Sequence, residues 1–162
     1  DRLFVIEQIY ASSWMLRHLK CNSRRQCRLN KKSLFTRMEA DLHNLYPAWQ
    51  AIDVSRRNSS FGMVEGEDWR YENCDFERYH DVAEPRLIAR GNIARAIFHM
   101  HTQYGLPIAK GMFDELKRWN RLDSPSKQEM LRNNIIEKLQ GNRNKFIDNP
   151  SLAEQISIKL LM

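Results

Sequence analysis

The stretch from Glu84 to Tyr104 constrains the fold more than any other part of the sequence. Its apolar side chains recur at the spacing of an amphipathic helix, and they are Ala89, Ile93, Ala96, Ile97, Met100 and Tyr104. Gly105 and Pro107 follow directly, and both residue types end helices. We therefore predict one helix over 84–104 that presents a face to a hydrophobic core.

The other segments alternate shorter helical patterns with a few strand-like stretches. Val5 and Ile6 favour a short strand, and residues 59–71 indicate a turn and a strand. Further helices are predicted at 14–20 after a Ser12 or Ser13 cap, from a Ser33 cap until the break before Pro47, from Pro47 to 57, and at 108–121, 125–139 and 150–160. With 162 residues and no internal repeat, we expect a single domain over 1–162 with an α-dominated α+β fold.

The positive charge of the chain is concentrated near its start. Up to Arg57 there are 11 Lys/Arg and 5 Asp/Glu, whereas the remainder is balanced at 15 and 15. Between Glu7 and Glu39 no acidic residue occurs, and the basic residues there are Arg17, Lys20, Arg24, Arg25, Arg28, Lys31, Lys32 and Arg37. We expect a loop here that binds a polyanion, because neutralised phosphates release counterions. A merely solvated basic loop is the alternative.

The spacing of the cysteines indicates the cellular compartment in which the protein is located. Cys21 and Cys27 bracket a loop short enough to close with a disulfide in an oxidising environment, which favours a secreted or periplasmic protein. This C-x5-C spacing lacks the second ligand pair of a structural zinc site. The pairing of Cys74 stays open. No apolar run approaches the ~20 residues that span a bilayer, so no membrane partner is expected.

Several stretches, taken in order, resemble one known family. They are Glu7-Gln8 with Trp14, DLHNLYP (41–47), AIDVSRRNSSFG (51–62), IARGNIARAIFHM (88–100) and QGNRN (140–144). They resemble the bacterial endonuclease I family of periplasmic and secreted nucleases, which belongs to the His-Me finger or ββα-metal superfamily. The resemblance implies a ββα-metal core and a sequence-nonspecific endonuclease. The oligomeric state stays open, with a monomer as the expectation. Its expected substrate is double-stranded DNA, with single-stranded DNA or RNA as alternatives.

The resemblance also assigns roles to particular residues. Glu7 and Asp53 match the ligands of a single Mg²⁺ or Mn²⁺, with Asp53 standing where the family has Asn. Gln8 occupies the position of the general-base histidine, and an amide has no useful basicity near neutral pH. Arg24 or Arg25 corresponds to the arginine that holds the scissile phosphate. Nucleic-acid binding or support of the site is assigned to Arg56, Asn58, Arg90, Arg28, Lys31 and Lys32.

Gln8 decides what this chain is expected to do. In the family mechanism the histidine deprotonates a water, and this water attacks the phosphorus in line. The product carries a 5′-phosphate end. The chain should therefore bind metal and nucleic acid but cleave very poorly. An introduced inactivating substitution, a natural protein that has kept only DNA binding, and a base located elsewhere are the open explanations. If the chain is not related to nucleases in function, the alternative is a secreted domain that binds a protein.

Overall fold

The computed structural model of the chain describes residues 3–66, 71 and 74–157. Its elements are β1 (Phe4–Gln8), α1 (Ser12–His18), α2 (Arg24–Asn30), α3 (Lys32–Ala40), β2 (Leu45–Trp49), α4 (Gln50–Arg56), β3 (Ser60–Phe61), β4 (Glu77–Tyr79), β5 (Val82–Glu84), α5 (Arg90–Tyr104), α6 (Lys110–Leu122), α7 (Lys127–Gln140) and α8 (Lys145–Asp148). Short 3₁₀ turns occupy Leu42–Asn44, Leu87–Ala89 and Pro150–Gln155. The predicted α-dominated α+β fold is confirmed.

Strands β1 and β2 pair in the antiparallel sense, and α4 follows β2 directly and contacts both strands. Together they form a ββα unit. The pairing places Glu7 opposite Tyr46 and Gln8 opposite Leu45. The helix predicted from Pro47 is wrong at its start, because Pro47 lies inside β2 and α4 begins at Gln50. Pairing with β1 imposes the extended backbone, and a two-stranded sheet tolerates proline because both strands are edges.

The basic segment is helical where a loop was predicted. The Ser23 side chain caps α2 by accepting a hydrogen bond from the Gln26 N–H at 3.1 Å. A disulfide joins Cys21 to Cys27, and Cys27 is fully buried in the core. The disulfide that the cysteine spacing suggested is therefore present. Helix α3 begins at Lys32, and the side chain of Ser33, the predicted cap, lies outside what the structure describes.

Helix α5 lies at the centre of the core and packs against α6. It begins at Arg90, so the first residues of the predicted helix form β5 and a 3₁₀ turn instead. Its end at Tyr104 is confirmed, since Gly105 adopts a left-handed φ of 68°. Of the predicted core face, Ile93, Ala96, Ile97 and Met100 are buried, and Ala89 and Tyr104 pack against them.

The remaining predictions match in part. The expected helices at 108–121 and 125–139 correspond to α6 and α7. The strand predicted within 59–71 is limited to β3, with residues 67–70 outside the described part of the chain. The helix predicted at 150–160 is a 3₁₀ turn that ends at Gln155, and residues 158–160 again lie outside. Among the described residues, every helix is too short or too polar to cross a lipid bilayer.

Candidate active site

A cavity of about 430 Å³ lies at the end of β1, beside α1, α2 and α4. The sequence-predicted residues that line it are Glu7, Gln8, Arg24, Asp53, Arg56 and Asn58. Its lining also includes Glu39, the last residue but one of α3, and Ser12, the first residue of α1. The structure thus brings most of the predicted catalytic and metal-binding side chains to one place.

Glu7 is buried in the cavity wall and paired with Arg56. The Arg56 Nη1 donates to Glu7 Oε1 at 2.6 Å and to the Gln8 carbonyl at 3.0 Å, and Nη2 donates to the Ile9 carbonyl at 2.7 Å. Burial lowers the pKa of Arg56 below its ordinary value, while the Glu7 and Asp53 carboxylates oppose that shift. Arg56 therefore fixes both the Glu7 carboxylate and the end of β1.

Gln8 is held from both ends of its side-chain amide. Its Nε2 donates to the Glu39 carbonyl at 2.9 Å, and its Oε1 accepts a long 3.5 Å hydrogen bond from Arg24 Nη2. The amide is therefore oriented by its neighbours, but it has no lone pair basic enough to accept a proton from water. Gln8 therefore cannot act as a general base.

Of the two candidate phosphate-binding arginines, only Arg24 reaches the cavity. Arg24 is the first residue of α2, and its Nη2 donates to Ser12 Oγ at 2.7 Å. Arg25 is exposed and does not line the cavity, and its side chain makes no hydrogen bond or ion pair within the described part of the chain. The Cys21–Cys27 disulfide and the Ser23 cap hold the start of α2, and they thereby place Arg24.

Glu7 and Asp53 offer carboxylate oxygens to the same cavity, one from β1 and one from α4. Hard oxygen donors of this kind suit Mg²⁺ or Mn²⁺, which commonly bind through one or two carboxylates and keep several waters. Within the described residues, no cluster of three or more His, Cys, Asp or Glu side chains is placed to hold a metal. A divalent ion held by Glu7 and Asp53 would need waters and phosphate oxygens as its remaining ligands.

Of the other predicted residues, Asn58 lines the cavity and the basic residues of α2 and α3 lie outside its lining. Asn58 lines the cavity and accepts a hydrogen bond from Trp14 Nε1 through its carbonyl at 3.0 Å. Arg28 is exposed and paired with Glu39 at 2.8 Å. Lys31 and Lys32 are exposed where α2 meets α3, outside the cavity lining.

Arg90 lies away from the cavity and stabilises the start of α5. Its Nη2 pairs with Glu84 Oε1 at 2.5 Å, and its Nε donates to the Pro85 carbonyl at 2.9 Å. Its guanidinium also lies 5.7 Å from the ring centroid of Trp119. These contacts are those of a residue that supports the fold.

A buried polar cluster anchors the turn that leads into β2. The rings of His43 and His99 lie 4.5 Å apart, and His99 Nε2 is 3.1 Å from Asp41 Oδ2. Burial, followed by the nearby His99, lowers the pKa of His43 to about 4. The next residue, Asn44, accepts a hydrogen bond from the Tyr10 N–H at 2.6 Å, so the cluster fixes the chain just after Gln8.

Sequence reasoning missed Glu39 and Ser12. Glu39 is the first acidic residue after the long basic segment, and this position was the sequence feature that could have marked it as a partner of the basic residues. Its side chain is only 14% exposed and contacts two arginines. Ser12 offered no sequence signal beyond the predicted helix cap, and that prediction is wrong because Ala11 is the N-cap of α1 and both Ser12 and Ser13 lie inside the helix. Its contact with Arg24 depends on the fold.

Glu7 and Asp53 lie on the ββα unit and line one cavity together with Arg24. This arrangement agrees with the ββα-metal class that the resemblance implies. The sequence model of the family described as Endonuclease I matches residues 13–151, so Glu7 and Gln8 precede the matched region. The chain belongs to the endonuclease I family.

Similar proteins carry names that fit this membership. An extracellular deoxyribonuclease of Aeromonas hydrophila is 37% identical over 144 residues, covering 84% of this chain and 61% of that protein. A periplasmic deoxyribonuclease of the same species is 36% identical over 144 residues, covering 84% of this chain and 60% of the relative. An extracellular ribonuclease of Bacillus amyloliquefaciens is 33% identical over 135 residues, with coverages of 72% and 46%. The chain therefore spans about 60% or less of the length of these relatives.

Proposed function

We propose that the protein is a secreted or periplasmic, metal-dependent endonuclease of DNA whose general base is replaced by Gln8. The observation that carries this proposal is the meeting of Glu7, Gln8, Arg24 and Asp53 in one cavity of a ββα unit. The names of the deoxyribonuclease relatives support DNA as the substrate and an extracytoplasmic location. A ribonuclease among the relatives supports RNA as a second substrate.

The basic side chains bind the substrate backbone. Arg24 presents a planar guanidinium at the cavity, which can contact two oxygens of one phosphate and stabilise charge as the bond breaks. The exposed side chains of Arg25, Arg28, Lys31 and Lys32 on α2 and α3 contact neighbouring phosphates. Contacts of this kind give affinity and register without sequence preference.

Glu7 and Asp53 hold one Mg²⁺ or Mn²⁺, which supplies neutralisation of the phosphate and the leaving oxygen. Arg56 bonds one Glu7 oxygen and thereby fixes the orientation of the carboxylate. Gln8 takes no proton, and the loss of a general base lowers the rate of cleavage by about 10²–10⁴. No histidine occurs among the described residues that line the cavity, which argues against a relocated base.

Gln8 also favours a second candidate, a protein that binds nucleic acid on a nuclease scaffold and does not cleave it. Both candidates predict salt-sensitive DNA binding, because both depend on the same arginines and lysines. They differ in whether a histidine at position 8 restores cleavage, since only a retained hydrolytic site can use a new base.

The unaltered chain is tested by fluorescence anisotropy with a labelled duplex across a salt series, together with plasmid nicking in Mg²⁺. We expect salt-sensitive binding and very slow nicking. Arg24→Ala should weaken binding roughly tenfold, whereas its neighbour Arg25→Ala, the matched control, should weaken it about twofold. DNA binding that does not respond to salt would contradict the proposed function. Rapid nicking by the unaltered chain would contradict the role given to position 8.

A further inference from the structure

Glu39 is a carboxylate placed among the side chains that are expected to bind phosphate. Its Oε2 accepts hydrogen bonds from Arg28 Nε at 3.1 Å and from Arg28 Nη2 at 2.8 Å. Its Oε1 lies 3.4 Å from Arg24 Nε. The same residue accepts the Gln8 amide through its main-chain carbonyl. Glu39 thus contacts position 8 and both neighbouring arginines.

The Glu39 side chain is largely buried, whereas the side chains of Arg24 and Arg28 are more than half exposed. The Glu39 side chain is 14% exposed, against 55% for Arg24 and 57% for Arg28. Each guanidinium can therefore turn toward solvent or toward a bound phosphate without moving Glu39. The arginines can therefore exchange the largely buried carboxylate for a phosphate from solvent.

The two arginines are held unequally. Arg28 presents its Nε and Nη2 to a single oxygen, the edge of the guanidinium that also recognises phosphate. Arg24 is close enough to Glu39 for an ion pair but makes no hydrogen bond with it, and Glu39 Oε1 is buried without a hydrogen-bond partner among the described residues. Arg24 is instead bonded to Ser12 and more weakly to Gln8.

We propose that Glu39 is an internal counter-ion for the phosphate-binding arginines, and that a phosphodiester displaces it from them. In the unliganded chain the carboxylate holds Arg28 by two hydrogen bonds and Arg24 by an ion pair without a hydrogen bond. When nucleic acid binds, phosphate oxygens replace the carboxylate on these guanidinium groups, and the remaining negative charge opposes binding. This inference rests on the proposed function, because it requires that both arginines bind phosphate. Glu39 is then a positioning residue that limits affinity.

Glu39→Gln isolates the carboxylate from its other contacts. The substitution keeps the size of the side chain and the main-chain carbonyl that holds Gln8, and it removes one negative charge. Glu115→Gln is the matched control, because Glu115 is also paired with an arginine, Arg118, but lies on α6 outside the cavity lining. Both variants change the net charge of the chain equally. Binding of a labelled duplex is measured at low and high salt, and folding is followed by circular dichroism.

We expect Glu39→Gln to bind the duplex roughly fivefold more tightly at low salt, with the gain shrinking at high salt because added ions screen the charge. Glu115→Gln should bind like the unaltered chain. Equal or weaker binding by folded Glu39→Gln would overturn the inference, since a merely structural role predicts no gain. If the unaltered chain does not bind DNA, the proposed function itself fails, and this outcome is distinguishable from the first.

A second measurement needs no substitution. The Nε–H resonance of Arg28, which reports its hydrogen bond to Glu39, is followed by NMR while duplex DNA is added. We expect this resonance to shift as phosphate replaces the carboxylate. An Arg28 resonance that stays unchanged while the resonance of the neighbouring Arg25 shifts would overturn the inference, even if Glu39→Gln does not fold.

Discussion

The ion pair between Glu7 and Arg56 should be the most sensitive point of the ββα unit. Arg56→Met fills a similar volume but removes the donors to Glu7 Oε1 and to the carbonyls of Gln8 and Ile9. Arg56 is 2% exposed and Glu7 is 9% exposed, so little water can replace the lost donors. Breaking a buried pair from one side costs about 3–5 kcal/mol of unfolding free energy. For a chain of this size, that loss corresponds to a Tm lower by roughly 10 °C.

Thermal and urea unfolding followed by circular dichroism measure this loss. Arg121→Met is the control, because Arg121 pairs with Glu154 where both side chains are about half exposed, and its loss should change Tm little. Glu7→Gln combined with Arg56→Met should unfold at a higher temperature than Arg56→Met alone, because no uncompensated carboxylate remains buried. The reasoning is refuted if Arg56→Met is no less stable than Arg121→Met.

Three further predictions concern the metal, the buried histidine and the disulfide. Asp53→Ala should abolish the rise in Tm that Mn²⁺ gives the unaltered chain, measured by differential scanning fluorimetry, whereas Asp114→Ala on α6 should keep it. Burial lowers the pKa of His43 from 6.5 to about 4, so the unfolded chain binds this proton first as the pH falls. Stability in urea titrations should drop by up to about 3 kcal/mol between these two pH values, and His43→Gln should flatten the profile. Cys21→Ser combined with Cys27→Ser should weaken DNA binding as much as Arg24→Ala. If the double variant binds DNA as tightly as the unaltered chain, the disulfide does not place α2.

The sequence predicted the elements whose pattern is local. Helices α5, α6 and α7 carry apolar side chains at helical spacing, and their ends are marked by turn-forming residues such as Gly105 and Gly141. The sequence did not reveal β2, because its extended backbone depends on pairing with β1 across some forty residues of intervening chain. Pro47 favours a helix start when considered alone, and only the partner strand reverses that preference.

The site was predictable in its residues and not in its geometry. The resemblance selected Glu7, Gln8 and Asp53, and the fold brings them to one cavity. It could not decide between Arg24 and Arg25, because adjacent residues on a helix point in directions about 100° apart and only the packing of α2 selects one. Glu39 was missed because the basic segment was predicted as a loop. Its contacts arise from the packing of α2 against α3.

Plasmid cleavage by Gln8→His is the measurement that tests the account most directly. The variant is assayed beside the unaltered chain in Mg²⁺ and in EDTA, with Gln103→His, an exposed position on α5, as the control for an added histidine. The account predicts that Gln8→His alone cuts, at least about 10²-fold faster than the unaltered chain, and only with the metal. If Gln8→His binds DNA but does not cut, the cavity is not a nuclease site that lacks only its base.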